Sequence, residues 1–251
     1  DCPVRNFAYN VKVEGYSNVG GVAGYFPQRD ISQNYVKVDL VANGHSVGGI
    51  VGNLHNGNIP NTSDIHSNYI ADSTIKGQSN VGGIIGEIAA DLYEPEIYYY
   101  GNYVEADLES EDNTTVSLGI GNREDQNQYL ANTYYYKYST INGENPNAQN
   151  EVFISQTSYL VEADLKQQET YITKLKYPTS YWDFNLLTDG KYPTLKAVKV
   201  VEQEGIDIPK DSEHIIESED SSVDAQSIET QEIPEQIFYI QLGISSSFNS
   251  I

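Results

Sequence analysis

Asn80-Val81-Gly82-Gly83-Ile84-Ile85-Gly86 decides how this 251-residue chain folds, because the same phrase is written elsewhere in it. It occurs as Asn18-Val19-Gly20-Gly21-Val22-Ala23-Gly24 and as Ser46-Val47-Gly48-Gly49-Ile50-Val51-Gly52, and it decays to Val116-Ser117-Leu118-Gly119-Ile120-Gly121. Each phrase follows an Asn-aromatic opening: Asn6-Phe7-Ala8, Asn34-Tyr35-Val36, Asn68-Tyr69-Ile70 and Asn102-Tyr103-Val104. A fifth opening, Asn132-Thr133-Tyr134, lacks the glycine half. The opening asparagines are 28, 34, 34 and 30 residues apart. The distance from aromatic to valine is 12 residues in three copies and 13 in the fourth. Variation in length therefore falls after the Gly phrase, as loops on one side.

A fixed period in this range marks stacked units whose faces are buried by their neighbours. Within a unit the pattern is β. Tyr35, Val36, Val38, Leu40 and Val41 are β-formers, and the turn dipeptide Asn43-Gly44 ends them. Val47-Gly48-Gly49-Ile50-Val51 is a short run bounded by Gly, as a buried strand would be. The paired residues Gly20-Gly21, Gly48-Gly49 and Gly82-Gly83 suit corners with positive φ and close backbone approach. Val19, Val47, Val81 and Val116 would then stack inside as a ladder. A β-sandwich is the alternative, but it has no need of strict repetition.

The recurring Asn-Val-Gly-Gly phrase with its Asn-(Phe/Tyr) openings resembles the GLUG repeat, over roughly residues 6–121. That repeat occurs in bacterial surface adhesins and in non-catalytic regions of immunoglobulin A peptidase-type secreted proteases. A second stretch supports the resemblance: Ala163-Asp164-Leu165-Lys166-Gln167, then Tyr181-Trp182-Asp183-Phe184, then Gly190-Lys191-Tyr192-Pro193-Thr194-Leu195. GLUG arrays often close with a similar short helix, Trp-containing strand and Gly-x-Tyr-Pro-x-Leu turn. The expected fold is thus all-β, a right-handed parallel β-solenoid of GLUG-type repeats over residues 1–150. A capping segment at 151–199 would cover the open end of the stack. Trp182, with Tyr181 and Phe184, reads as core packing there, and a sugar-stacking platform is the alternative reading.

Charge sets the rest of the organisation. Lys and Arg number 14 against 36 Asp and Glu, a formal net charge of −22. That argues against a nucleic-acid binder, which needs clustered cations. It equally disfavours an anionic membrane surface, and no apolar stretch is long enough to span a bilayer. Between Val201 and Glu235 stand twelve acidic residues and a single lysine, Lys210, half of the total charge. Residues 200–235 therefore read as a disordered acidic linker. The apolar run within 236–251 reads as the start of a truncated next domain. Cys2 is the one cysteine, so no intrachain disulfide forms. With no Met and a first residue Asp1, the chain reads as an internal fragment of a larger protein.

Chemistry-bearing motifs are scarce. His45, His55, His66 and His214 give no His-Glu-x-x-His spacing, and no Gly-x-Ser-x-Gly elbow is present. Gly119-Ile120-Gly121 lacks the third Gly of a dinucleotide fingerprint. Glu105, Asp107, Glu109 and Glu111 alternate with Ala106, Leu108 and Ser110, placing four acids on one strand face. A solvated outer face is the plainer reading, a weak Ca²⁺ site the sharper one. No catalytic residue, metal ligand or cofactor is assigned. The aromatic excess remains: 21 Tyr against 6 Phe and 1 Trp. Tyr98-Tyr99-Tyr100 and Tyr134-Tyr135-Tyr136 lie near repeat openings. Neighbouring residues on a strand point to opposite faces, so each run shows at least one ring outward unless it is covered. Together with Tyr103 these rings are the candidate recognition patch for a host protein or glycan; alternatively they cover the coil's side.

The functional expectation is a non-catalytic stalk, display or adhesion module of a bacterial protein, secreted or on the cell surface. One alternative is a substrate-binding accessory region of a secreted immunoglobulin-type metalloprotease. Another is an insertion displayed on a flagellin-like filament, from the faint likeness of Tyr239-Ile240-Gln241-Leu242-Gly243-Ile244 to flagellin-like chains. A free-standing enzyme is the least favoured reading.

Overall fold

The computed structural model describes residues 7–26, 30–55, 63–89, 97–123, 133–146, 157–196 and 206–214. These all lie within one unit, Asp1–Ile215. The expected domain start within 236–251, the flagellin-like run, most of the acidic linker and Asn132 fall outside the described residues.

Each repeat folds into short strands separated by corners. The first contains β1 (Phe7–Gly15), β2 (Val19–Gly20), β3 (Ala23–Phe26) and β4 (Asp30–Ser32). The second contains β5 (Tyr35–Ala42), β6 (His45–Gly48), β7 (Val51–Leu54) and β8 (Ser63–His66). The third contains β9 (Tyr69–Gly77), β10 (Ser79–Gly82), β11 (Ile85–Ile88) and β12 (Ile97–Tyr100). The fourth contains β13 (Asn102–Ser110), β14 (Val116–Ser117) and β15 (Ile120–Arg123). Strands β16 (Thr133–Tyr136), β17 (Thr140–Ile141) and β18 (Thr157–Leu160) follow.

Pairing runs between repeats. The four main sheets have the orders β1-β5-β9-β13-β16-β18, β2-β6-β10-β14, β3-β7-β11-β15 and β4-β8-β12, with β17 also on β13. Their pairings are parallel, whereas a sandwich would be antiparallel. Like residues meet like: Tyr35 pairs with Tyr69 and Tyr69 with Tyr103, and Val19, Val47, Val81 and Val116 pair in series. Period-two alternation sends Val36, Val38 and Leu40 inward, with Ile70, Ile75, Val104 and Leu108 beside them, all buried in one apolar core.

The openings are held by an asparagine ladder. Asn68 Oδ1 accepts from the Asn34 backbone N–H at 3.0 Å and from Asn34 Nδ2 at 2.8 Å. Asn102 Oδ1 accepts from the Asn68 N–H at 3.3 Å and from Asn68 Nδ2 at 2.9 Å. Asn68 and Asn102 each also donate an Nδ2 bond backwards, to the carbonyls of Ile31 and Ile65. All three asparagines are fully buried. Buried amides persist only when satisfied, and this spacing satisfies them reciprocally. In the next rung Asn102 pairs with Thr133, so the fifth opening sits one residue later than the Asn132 alignment implies.

The Gly phrase works differently from the corner argument. Among the described residues the glycines with positive φ are Gly101, Gly143 and Gly190, none of them in the phrase. The left-handed corners belong to Asn18 (55°), Ser46 (63°) and Asn80 (54°), each directly before the repeated Val. The phrase glycines are required by proximity instead. A Cβ on Gly82 would lie 1.8 Å from the Ile85 carbonyl oxygen, and one on Gly48 would lie 2.0 Å from that of Val51. Backbones meet there with no room for a side chain.

The segment after β18 has the expected short helix and Trp-containing strand. It contains a short helix α1 (Glu162–Leu165), a π-helical turn (Thr170–Lys174), and an antiparallel pair, β19 (Trp182–Asp183) with β20 (Thr194–Leu195). It packs on the outer face of the large sheet, where Tyr35, Tyr69 and Tyr103 join Tyr171, Tyr177, Trp182 and Tyr192 in a second buried cluster. Those three tyrosines occupy one outward column, which exposes a strip of rings along the stack unless something covers it. The segment is bolted across successive repeats: Tyr69 Oη donates to the Pro193 carbonyl at 2.7 Å, and Tyr177 Oη to that of Asn68 at 3.0 Å. Tyr35 Oη accepts from the Ile206 N–H at 3.1 Å. Ile206 and Ile208 are buried in the same cluster, so residues 206–214 pack against the fold although composition placed them in the linker. Averaging charge over the window hid two apolar residues that share a face. Trp182 is fully buried and stacked on Tyr177 at 4.6 Å, so it offers no platform to a sugar.

Candidate functional surface

The seven tyrosines chosen from sequence do not form one patch. Tyr98, Tyr99 and Tyr100 lie on β12, and Tyr103 and Tyr134–136 lie on the large sheet. Tyr99 points inward with Ile31 and Ile65 and is 1% exposed. Tyr103 and Tyr136 are equally buried, under the flanking segment. Tyr134 and Tyr135 are half-buried, against the flank cluster and the interior core respectively. Strand alternation explains the division: in each run the odd and even rings face opposite ways. Tyr98 stays accessible at 46%.

Tyr98 belongs to a face that the tyrosine search did not anticipate. On the β4-β8-β12 sheet, Asp30, Asp64 and Tyr98 form one outward column, and Ser32, His66 and Tyr100 form the next. The His66 and Tyr100 rings are parallel within 3° and 4.7 Å apart. His66 Nδ1 is 3.1 Å from Ser67 Oγ, which donates to the Lys176 carbonyl at 3.0 Å, so the flanking segment fixes this edge. Asp30 Oδ1 accepts a long 3.4 Å bond from the Asp64 backbone N–H. Burial, then the charges of Asp64 and Asp30, push the Tyr100 hydroxyl above its usual range, so it stays a neutral donor. A signal for this face was available. Asp30, Asp64 and Tyr98 each stand four residues before an opening Asn, and Ser32, His66 and Tyr100 stand two before it. The variable segments 27–29, 56–62 and 90–96 lead directly into its three strands and lie outside the described residues.

The acids of β13 are engaged separately, and Glu111 lies just beyond its end. Lys76 Nζ lies 2.7 Å from Glu109 Oε1, and Thr140 Oγ1 donates to Asp107 Oδ1 at 2.7 Å. Glu111 is exposed beside a polar groove of about 650 Å³ that runs along the turns past Ala42, Lys76, Gln78 and Asn142. Glu105 lies at the seam with the flanking segment. Its Oε2 accepts from Tyr192 Oη at 2.7 Å, and Tyr192 Oη in turn lies 2.8 Å from Tyr103 Oη. Burial lifts the Glu105 carboxyl to about 7; the Asp72 carboxylate adds to this, while Tyr192, the Asp72 N–H and Lys37 pull it back. Lys37 itself is paired with Asp72. A carboxyl that titrates near neutrality suits acid–base work only if substrate can reach it, and here tyrosines of the seam occupy that side.

Among the described residues, no group of three or more His, Cys, Asp or Glu is placed to hold a metal ion. Among the same residues, no helix is long and apolar enough to cross a membrane. No protein family matches the sequence, and neither a curated protein nor a solved structure is found similar to it.

Proposed function

We propose that the chain is a non-catalytic structural and adhesion module of a secreted or cell-surface bacterial protein, built as a right-handed parallel β-solenoid that serves as a stalk or display surface. The observation that carries this reading is the in-register parallel pairing of successive repeats in four sheets, threaded by the buried Asn34–Asn68–Asn102 ladder. Units that touch chiefly their neighbours build a scaffold by addition. The flanking segment ties several of them together, which resists shear between repeats. Handedness follows from the general preference for right-handed crossovers between parallel strands of one sheet. The work of such a scaffold is geometric: it holds a recognition face at a fixed distance and orientation.

The test presents the immobilised chain with panels of host matrix proteins and glycans, and in parallel with hydrolase substrates. Saturable binding without turnover is the expected outcome. Turnover of any substrate that disappears on Glu105→Gln would replace the display reading with an enzymatic one.

A further inference from the structure

The β4-β8-β12 face brings two like charges into register with no cation beside them among the described residues. Asp30 and Asp64 are directly paired across parallel strands and both are half-buried. Like charges in register oppose one another, and partial burial strengthens the opposition. Some carboxylates elsewhere on the fold meet cations: Asp72 has Lys37, Glu109 has Lys76 and Asp164 has Lys174. Asp30 and Asp64 have no Lys or Arg partner among the described residues. Tyr98 completes their column with an exposed ring, and the stacked His66–Tyr100 pair walls the adjacent column. Carboxylates that fix a positive charge, next to an aromatic face that attracts one, form a receptor for a guanidinium or ammonium group.

We propose that this face binds a basic side chain, Arg or Lys, presented by a segment of a partner protein. The cation lies between the Asp30 and Asp64 carboxylates with its flat side or stem against Tyr98, and Tyr100 Oη serves as a neighbouring hydrogen-bond donor to the partner's backbone. Charge complementarity selects the occupant: a chain of net charge −22 repels anionic glycans and attracts basic segments over a long range. Arg suits the site better than Lys, because the planar fork can meet two carboxylates and stack on a ring together. This inference rests on the display reading and names the partner chemistry of that surface.

The experiment measures binding of a fluorescein-labelled hexa-arginine peptide to the full chain by anisotropy, at about 0.15 M salt, where long-range attraction is screened. Asp30→Asn/Asp64→Asn is compared with Asp39→Asn/Glu111→Gln, which removes the same charge from exposed positions elsewhere. Tyr98→Ser is the third variant, and thermal melts establish that all are folded. Binding weakened about five- to tenfold by the first pair, and measurably by Tyr98→Ser, with the control pair near wild type, is the expected result. Equal weakening by both charge pairs would reduce the effect to the chain's overall field and overturn the proposal. Retention of neutral oligosaccharides instead of the peptide would overturn it in favour of a glycan, and so would saturable Ca²⁺ binding lost with Asp30 and Asp64, in favour of a metal. Each of these leaves the display reading standing. That reading fails separately, through substrate turnover.

Discussion

Replacing Glu105 by Gln should change how stability depends on pH, by an amount the seam geometry sets. The folded carboxyl titrates at about 7 against a usual value of 4.5, chiefly because it is desolvated on β13 beside Tyr192. Between those two values the folded chain keeps a proton that the unfolded chain has lost. Stability therefore falls as pH rises through that window, and levels off above the folded value. A shift of this size corresponds to about 3 kcal/mol as an upper limit, since each unit is worth about 1.4 kcal/mol. Gln cannot ionise, and its carbonyl can still accept from Tyr192 Oη. The variant escapes the loss, so wild type minus variant isolates this one group from the other acids. The assay is urea unfolding of both proteins at several pH values between about 4.5 and about 8. The variant should gain relative to wild type by about 1–3 kcal/mol across the window, most steeply midway between the two values, near pH ~6. A difference that stays constant with pH would refute the placement of Glu105 in a desolvated seam.

The ladder and the close backbone contacts give further expectations. Asn68→Ala removes four side-chain hydrogen bonds and strands the Asn34 donors in the core, so unfolding free energy should drop by about 3 kcal/mol in chemical denaturation. Thr133 occupies the next rung fully buried, its Oγ1 without a hydrogen-bond partner among the described residues; Thr133→Asn should extend the ladder and stabilise by about 1 kcal/mol, read as a raised denaturation midpoint. Gly82→Ala drives a methyl group into the Ile85 carbonyl and should cost about 3 kcal/mol or prevent folding, as seen by loss of the β-sheet circular dichroism signal. Tyr99→Ser should destabilise by about 3 kcal/mol and Tyr98→Ser by well under half of that in the same denaturation assay, because one ring is in the core and the other is about half exposed.

Much of the architecture could be read from residue order. In-register parallel stacking puts each residue beside its counterpart one repeat away, so any side chain useful in one copy is useful in the next. Asn34, Asn68 and Asn102 recur at 34 residues for that reason, and the paired valines recur with the repeats at 28, 34 and 35. The Gly phrase was equally visible, but its cause was not: positive φ and backbone crowding both select Gly, and only coordinates separate Asn18, Ser46 and Asn80 as the corners from Gly48 and Gly82 as contact points. The fifth opening misled by one residue, because Asn132 copies the motif while hydrogen bonding puts Thr133 in the slot.

The sequence by itself therefore determined what repeats: an all-β chain, its unit boundaries, and which residues alternate in and out along each strand. Tertiary structure decided what covers what. Tyr103 looks in sequence like a candidate for display, yet residues of 157–196 and 206–208 fold across it and its column neighbours Tyr35 and Tyr69; Tyr98 escapes because it lies on another sheet. Local pattern reports which face of a strand a ring takes, but burial of that face depends on a segment up to 171 residues away, as in the bond from Ile206 to Tyr35. The same distance hid the face of Asp30, Asp64 and Tyr98. Charge alternation is a property of one strand, while repulsion and complementarity are properties of the neighbours that three separate repeats bring side by side.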